Sequence, residues 1–141
     1  MAEAFAHRGV NIVLADVQDD ALAAAEDRIR AHGVETLAVR TDVSKEESVQ
    51  ALATATIERF GSVQLVCNNA GVGGVAGDPW TGPLAMWEWV MGVNFWGVVH
   101  GVRAFLPHLV MGGGGHIVNT ASIAGLMTGF SAPYDATKHA V

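Results

Sequence analysis

A tyrosine and a lysine four residues apart, near the end of the chain, form the pattern with the clearest chemical meaning. Tyr134 is the only tyrosine among the 141 residues, and Lys138 is one of two lysines. On a helix this spacing puts both side chains on one face. A free phenol is a poor base at neutral pH, but an ammonium group about 4 Å away favours the phenolate by about 4 kcal/mol. Tyr134 is therefore a candidate general acid/base, although an exposed helical pair has the same spacing.

Three further polar positions could serve the same chemistry. Ser122 follows an apolar run twelve residues before Tyr134, where its hydroxyl could hydrogen-bond a substrate oxygen or simply cap a turn. Another apolar run ends in Asn68, Asn69, Ala70 and Gly71, small residues that allow a ligand to approach the backbone closely. Asn94 lies within an apolar helical stretch, where a buried amide needs partners and disfavours regular helix geometry.

The elements that must position these residues alternate between two apolar patterns. Short apolar runs predict strands at residues 10–15, 36–40, 63–67 and 116–121. Helical patterns lie between them, at residues 19–32 with Asp19 and Asp20 as caps, from a Ser44/Glu47 capping box to Phe60, at 84–110, and from Pro133 onward. This alternation predicts one α/β domain over residues 1–141, with a parallel sheet and helices on both faces.

Composition excludes several classes of function. Half of the residues are apolar and 16% are charged, which is typical of a globular protein. The net charge is −6 and the basic residues are scattered, so no nucleic-acid partner is expected. The six histidines lack metal-site spacing and supporting cysteines, so no metal is expected. The single cysteine, Cys67, is predicted to be a buried, reduced thiol, consistent with the cytosol.

No membrane partner is expected either. The most apolar stretch, residues 84–111, is interrupted by polar and charged residues such as Glu88, Asn94 and Arg103, and its uninterrupted runs are too short for a bilayer span. The N-terminus shows an acid, Glu3, where a secretory signal would be basic. The sequence therefore favours a cytoplasmic protein.

Taken together, the chemical residues and their order resemble the short-chain dehydrogenase/reductase family, over nearly the whole chain. The matching features are Asp16, Asp42-Val43, the NNAG motif Asn68-Asn69-Ala70-Gly71, Asn94, Ser122, and the YxxxK motif of Tyr134 and Lys138. The agreement in order is more specific than any one motif. The resemblance implies a Rossmann-like, doubly wound sheet and an oxidoreductase that transfers hydride between a nicotinamide cofactor and a small-molecule alcohol or carbonyl substrate.

The resemblance also implies residue roles. Tyr134 would exchange a proton with the substrate oxygen, and Lys138 would assist it while holding the nicotinamide ribose. Ser122 would position the substrate oxygen, and Asn94 would anchor a water that relays protons to Lys138. The long helix and the last helix would form a subunit contact, so a homodimer or homotetramer is expected.

Cofactor choice is predicted from Asp16, at the end of the first predicted strand. A carboxylate there can accept both ribose hydroxyls of NAD and repels the 2′-phosphate of NADP. No arginine follows it, so NAD is favoured over NADP, although Asp16 could instead be a loop acid. Asp42 and Val43 resemble the family's adenine-contacting pair, but Asp42 could also only brace the turn before Ser44. The resemblance adds Asn69, Ala70 and Gly71 to the cofactor-binding residues.

The family's glycine-rich, pyrophosphate-binding turn is expected before Asp16, where only Gly9 occurs. The resemblance also expects a first strand between strands 10–15 and 63–67, and further strands beyond Val141. The chain is therefore interpreted as an incomplete domain of an enzyme. The competing interpretation is a non-catalytic fragment or interaction module that retains part of the fold and is inactive as an isolated chain.

Overall fold

The computed structural model describes residues 1–75 and 80–141 and contains four strands that pair in two parallel sets. Strands β1 and β2 pair from Ile12 with Thr36 through Asp16 with Arg40, and strands β3 and β4 pair from Leu65 with His116 through Asn68 with Asn119. The strand bounds are β1 Ile12–Asp16, β2 Thr36–Arg40, β3 Leu65–Asn68 and β4 His116–Asn119. The predicted parallel pairing is confirmed.

Helices separate the strands along the chain. The α-helices are α1 Ala2–Ala6, α2 Asp19–Arg30, α3 Glu46–Phe60, α4 Leu84–Met91, α5 Gly97–Met111 and α6 Ala132–Ala140. A π-helical segment, Gly92–Trp96, joins α4 to α5, and a short 3₁₀ segment, Ile123–Gly125, follows β4. The predicted helix over residues 84–110 is thus one continuous helical stretch whose middle is wound more widely.

Two predicted helix starts are wrong in detail. Helix α3 begins at Glu46 after Lys45, without a side-chain cap, so Ser44 lies one residue before the N-cap position, and its hydroxyl donates to Asp42 Oδ1 (2.7 Å). Helix α2 begins after Gln18, so Asp19 and Asp20 lie in its first turn, where their charges favour the helix dipole.

The core has a layer on each side of the sheet. On one side, α3 and α5 bury Leu52, Ala53 and Phe105 against Val66 of β3, and Val13, Val39 and Ile117 from other strands pack on the same cluster. On the other side, Ala6 and Ile29 pack against Ile12 of β1. Helices therefore cover both faces of β1, as the α/β prediction requires.

The two strand pairs share the α3–α5 core but are not hydrogen-bonded to each other. In the described residues, β1 pairs with β2 alone and β3 with β4 alone. This division lies where the resemblance expects one further strand, between β1 and β3.

Cys67 is exposed, so the prediction of a buried thiol is wrong. Successive side chains in a strand point to opposite faces, and Val66 faces the α3–α5 cluster. Cys67 therefore points to the opposite face of β3. Partial desolvation of its sulfur still raises the pKa of the thiol above its ordinary value.

No helix within residues 1–75 and 80–141 combines the length and apolar character that crossing a bilayer requires.

Candidate active site

Tyr134 and Lys138 lie one turn apart on helix α6. The helix begins after Ser131, which is extended, and Pro133 occupies its first turn, as predicted. Lys138 is 8% exposed, and its Nζ donates to the carbonyl of Thr120 (2.7 Å) just beyond β4. The same Nζ lies 5.9 Å from the centre of the Tyr134 ring. The ammonium is thus held between the end of β4 and the face of the tyrosine.

Asn94 is 1% exposed and lies in the π-helical segment. Its Oδ1 accepts from Val72 N (2.8 Å), and its Nδ2 donates to Val72 O (2.9 Å) and to Thr137 Oγ1 (3.1 Å). The side chain therefore joins the loop after β3 to helix α6. π-helical segments are frequent at functional sites, and here the wider winding coincides with the buried amide.

Thr137 completes the link, since it lies between Tyr134 and Lys138 in sequence. Its side chain is fully buried, and its hydroxyl donates to the carbonyl of Tyr134 (2.8 Å) while accepting from Asn94. The backbone that carries both candidate catalytic residues is thereby fixed against the π-helical segment.

Side chains at the carboxyl ends of β3 and β4 are also connected. Asn68 Nδ2 donates to Asn119 Oδ1 (2.9 Å), and Thr120 Oγ1 donates to Asn69 Oδ1 (2.9 Å). Through Thr120, the Asn69 side chain and the Lys138 ammonium contact the same residue. Ala70 and Gly71 follow and are exposed. The NNAG motif thus lies beside the strand end that holds Lys138.

Ser122 begins the 3₁₀ segment and is half-buried. Its Oγ accepts a bond from Ala124 N (3.2 Å), which is the capping role left open by the sequence. A hydroxyl that accepts this bond retains its own hydrogen to donate to a substrate oxygen. A Cβ on the next glycine, Gly125, would collide with the carbonyl oxygen of Lys138, so the 3₁₀ segment lies directly against α6.

Asp16 and Asp42 lie at the carboxyl ends of β1 and β2. Asp16 is exposed, and its Oδ1 accepts from Gln18 N (2.9 Å). Asp42 Oδ1 accepts from both the backbone and the hydroxyl of Ser44, and the hydroxyl bond is the main cause of an Asp42 pKa below its usual value. The bracing role that the sequence left open for Asp42 is therefore present.

Val43, which follows β2, contacts helix α5. Its carbonyl contacts His100 Nδ1 (2.9 Å), and a Cβ on Gly97 would lie 2.9 Å from its Cγ2. Because Asn94 contacts the loop after β3 and His100 contacts the loop after β2, one helical stretch spans both sets of strand ends. In the described residues, however, the hydrogen bonds of Asp16 and Asp42 join neighbours on the β1–β2 side, not Tyr134 or Lys138.

Three polar residues near the predicted site were not assigned a role from the sequence. Thr120 and Thr137 hold Lys138 and Asn94, and Arg40 pairs in register with Asp16 while its Nε contacts Asp19 (3.5 Å). The position of Thr137 inside the YxxxK motif was a signal in the sequence that it could contact the site. The position of Arg40 depended on the strand register.

A cavity of about 290 Å³ lies elsewhere, between α5 and the end of α6. Its lining includes Phe95, Val98, Val102, Asn119 and Val141, and it does not include Tyr134 or Ser122. Its mostly apolar wall indicates a packing surface. Among the described residues, no three His, Cys, Asp or Glu side chains form a cluster that could hold a metal ion.

The family model described as short chain dehydrogenase matches residues 1–141. The chain belongs to this family. Relatives similar to it include 1-deoxy-11-beta-hydroxypentalenate dehydrogenase of Streptomyces avermitilis, 41% identical over 138 residues, covering 96% of this chain and 51% of the relative. Another is 2-(R)-hydroxypropyl-CoM dehydrogenase of Xanthobacter autotrophicus, 39% identical, covering 100% of this chain and 58% of the relative.

Solved structures of the family show the same Rossmann-like α/β fold. A short-chain dehydrogenase/reductase of Burkholderia phymatum in complex with NAD is 52% identical, with a TM-score of 0.94 over 99% of this chain and 50% of that one. NAD⁺-bound xylitol dehydrogenase is 32% identical, with a TM-score of 0.95 over 99% of this chain and 54% of that one. The chain spans about half the length of the relatives that it matches.

Proposed function

We propose that this short-chain dehydrogenase chain supplies the catalytic part of an NAD-dependent oxidoreductase acting on an alcohol or carbonyl substrate. Residues 1–141 would form one partial dinucleotide-binding domain. The observation that carries the proposal is the position of Lys138, whose buried ammonium is fixed on the Thr120 carbonyl beside the Tyr134 ring. We assign the activity to a polypeptide of the relatives' length, called the full-length protein below. It is either the natural protein of that length or residues 1–141 joined to the flanking segments of the Burkholderia phymatum protein.

In this proposal, Tyr134 exchanges a proton with the substrate oxygen. Within the described residues, the hydrogen-bond partner of the Lys138 ammonium is a neutral carbonyl, so its charge is not neutralised by a carboxylate. In the proposal, this charge assists the proton exchange between Tyr134 and the substrate oxygen. Ser122 would donate to the same substrate oxygen and hold it at the carboxyl end of β4.

Asn94 would act by positioning α6. Both polar atoms of its side chain are engaged, by Val72 and Thr137. The water relay that the resemblance assigns to Asn94 would therefore fall to its backbone atoms. The proposal thus separates the groups that move protons, Tyr134 and Lys138, from the amide that aligns them.

The residues at the strand ends fit a dinucleotide. The exposed carboxylate of Asp16 can accept ribose hydroxyls, and Asp42 with Val43 lies at the next strand end. In the proposal, Asn69, Ala70 and Gly71 allow the cofactor to approach the backbone closely, and Lys138 would donate to a ribose hydroxyl. A nicotinamide group bound there would supply or accept the hydride. Asp16 favours NAD over NADP because a 2′-phosphate beside a carboxylate is repelled.

Deuterium transfer tests the reaction class. The full-length protein is mixed with NADH carrying two deuterium atoms at C4 of the nicotinamide, so that a hydride from either face is labelled, and with a panel of ketones, including cyclohexanone and 2,2,6-trimethylcyclohexanone. The proposal predicts an alcohol with one deuterium on the carbinol carbon, detected by mass spectrometry. An alcohol without the label, or no alcohol from any ketone of the panel, contradicts it.

For the isolated 141 residues we propose a different state, a fragment that retains part of the fold without activity. The division between β1 and β3 favours an inactive fragment. The strand ends that would contact a dinucleotide belong to two strand pairs that are not hydrogen-bonded to each other. Calorimetry with NAD is expected to show no binding by residues 1–141. A complex of millimolar affinity or tighter would be the contrary result.

We also propose that the full-length protein is a homodimer or homotetramer. Exposed apolar side chains on α5 support this: Leu106 is 45%, Val110 68% and Met111 74% exposed. Burying such side chains between subunits is favourable. Light scattering of the purified protein would give the mass, and a monomer would refute this part of the proposal.

A further inference from the structure

A buried acid follows the candidate catalytic tyrosine directly. Asp135 is 6% exposed, and its Oδ2 accepts from the backbone N–H groups of Gly129 (2.9 Å) and Phe130 (3.3 Å). Its second oxygen, Oδ1, is buried without a hydrogen-bond partner among the described residues. A carboxylate is costly to bury, so its presence here requires a reason beyond filling space.

The turn that Asp135 holds is fixed on its other side as well. Ser131, which follows Phe130, is buried, and its Oγ donates to the carbonyl of Gly73 (2.8 Å). Gly129 has φ of +130°, a conformation that side-chain-bearing residues rarely adopt. The backbone of the turn is thus set by two side chains and one glycine, although the segment is at the surface.

The fixed turn sets the position of the Phe130 ring. The ring is 50% exposed and lies edge-on to Tyr134, with centroids 6.4 Å apart and planes at 68°. Leu126 and Met127, which precede it, are 83% and 53% exposed, and no charged residue occurs between Thr120 and Tyr134. The Tyr134 ring is therefore bordered by the half-exposed Phe130 ring, and the Asp135 carboxylate holds the backbone that carries that ring.

We propose that Asp135 is a positioning residue whose carboxylate fixes the Gly129–Phe130 turn, so that Phe130 stays against Tyr134 and selects substrates by the bulk next to their carbonyl. The inference rests on the proposed function and deepens it. The substrate it implies carries an apolar group beside the reacting carbon. Phe130 is the specificity-determining contact, and Asp135 acts through it.

Fluorine NMR tests the positioning without requiring turnover. The full-length protein is labelled with 3-fluorotyrosine, and the Tyr134 resonance is assigned by its loss in the Tyr134→Phe variant. Phe130→Ala is expected to shift the resonance by removing the ring, and Asp135→Ala by releasing the turn. Asp135→Asn retains an acceptor oxygen for the two N–H groups, so it should leave the resonance near its original position. The double variant Asp135→Ala/Phe130→Ala should match Phe130→Ala alone.

Turnover provides the second readout. Phe130→Ala and Asp135→Ala lose the apolar contact with the methyl groups beside the carbonyl, which cyclohexanone lacks. The ratio of kcat/KM for cyclohexanone to kcat/KM for 2,2,6-trimethylcyclohexanone should therefore rise roughly tenfold or more in these two variants, and stay near the original in Asp135→Asn. Asp27→Asn, at an exposed acid of α2, is the matched control and should change neither readout.

Several results overturn the inference. One is a Tyr134 resonance that does not shift in Phe130→Ala. Because Phe130 is half-exposed, this variant is expected to fold, so it tests the contact between Phe130 and Tyr134 even if Asp135→Ala does not fold. Another is a folded Asp135→Ala with an unchanged resonance and ratio, or a double variant whose effects add. If the protein reduces the ketones and Tyr134→Phe stops it while these readouts do not move, the inference fails and the proposed function stands.

Discussion

Asn94 and Thr137 are joined by a buried hydrogen bond of 3.1 Å although 43 positions separate them in sequence. The bond ties the π-helical segment to the turn of α6 between Tyr134 and Lys138. Since Thr137 also donates to the Tyr134 carbonyl, the alignment of the two candidate catalytic residues depends on this one hydroxyl.

Replacing Thr137 by valine tests this dependence. The change keeps the shape but removes both hydrogen bonds of the hydroxyl and leaves one Asn94 donor proton unpaired. We expect a loss of about 1–3 kcal/mol in the free energy of unfolding of the full-length protein, measured with urea. Thr137→Ser, which retains the hydroxyl, should lose less. Equal stability of the valine variant and the original would contradict the assignment.

Gly125 should not tolerate a side chain. Its Cβ would meet the backbone carbonyl of Lys138, and a backbone atom cannot move aside as a flexible side chain can. Gly125→Ala is expected to cost about 1–3 kcal/mol of stability and to lower kcat, because α6 would be displaced from Ser122. Gly82→Ala is the control, since nothing lies within 4 Å of its Cβ. Similar melting temperatures and kcat values for the two variants would disprove the close contact.

Ser44→Ala should raise the pKa of Asp42 toward its ordinary value of 3.8, because the serine hydroxyl bond is the largest cause of the lowering. A lowered folded-state pKa stabilises the fold fully above the ordinary value, and this contribution is lost as pH falls through the folded-state pKa. Ser44→Ala should therefore be less stable by about 0.5 kcal/mol at neutral pH, a small effect because the group is partly solvated.

The difference between Ser44→Ala and the original should shrink below pH 3.8. Carbon-13 NMR of the Asp42 carboxyl group gives the pKa directly, and urea unfolding at several pH values gives the stability. Ser62→Ala, at an exposed serine that accepts from Gln64, is the control. An Asp42 titration that is identical in Ser44→Ala and the original would count against the bond.

Asp16→Ala is expected to shift cofactor preference toward NADP. The change removes the carboxylate that repels a 2′-phosphate, and Arg40, in register with Asp16, lies close enough to attract one once it leaves Asp19. The ratio of the Kd for NADP to the Kd for NAD should fall roughly tenfold or more in the full-length protein. Asp20→Ala, on the first turn of α2, serves for comparison. A ratio that stays constant in Asp16→Ala argues against the role of Asp16.

Much of the fold could be predicted because its signals are local. The strand Thr36–Arg40 was predicted at its observed bounds, and Gly61 ends α3 with a φ of +74°. Strand β1 begins two residues later than predicted, because its ladder starts where Ile12 meets Thr36. Such an end is set by the partner strand, which a run of apolar residues does not reveal.

The site could be predicted only in part, for the same reason. The YxxxK and NNAG motifs are local patterns that the sequence alone identifies. What the sequence missed are contacts across the fold: the bond from Lys138 to Thr120, the Asn94–Thr137 bond and the turn held by Asp135. The predicted cap Ser44 was wrong because α3 begins one residue later than the capping box predicts, with Lys45 at the N-cap.

The rate of NADH formation by Tyr134→Phe is the most direct test of the proposed chemistry. It should be measured in the full-length protein at saturating NAD, with the alcohol produced in the deuterium experiment as substrate. The variant keeps the ring against Phe130 and Lys138 but cannot exchange a proton, so kcat should fall by about 10²–10⁴-fold with NAD binding and melting temperature unchanged. A variant that folds, binds NAD and retains kcat within about threefold of the original would contradict the role of Tyr134.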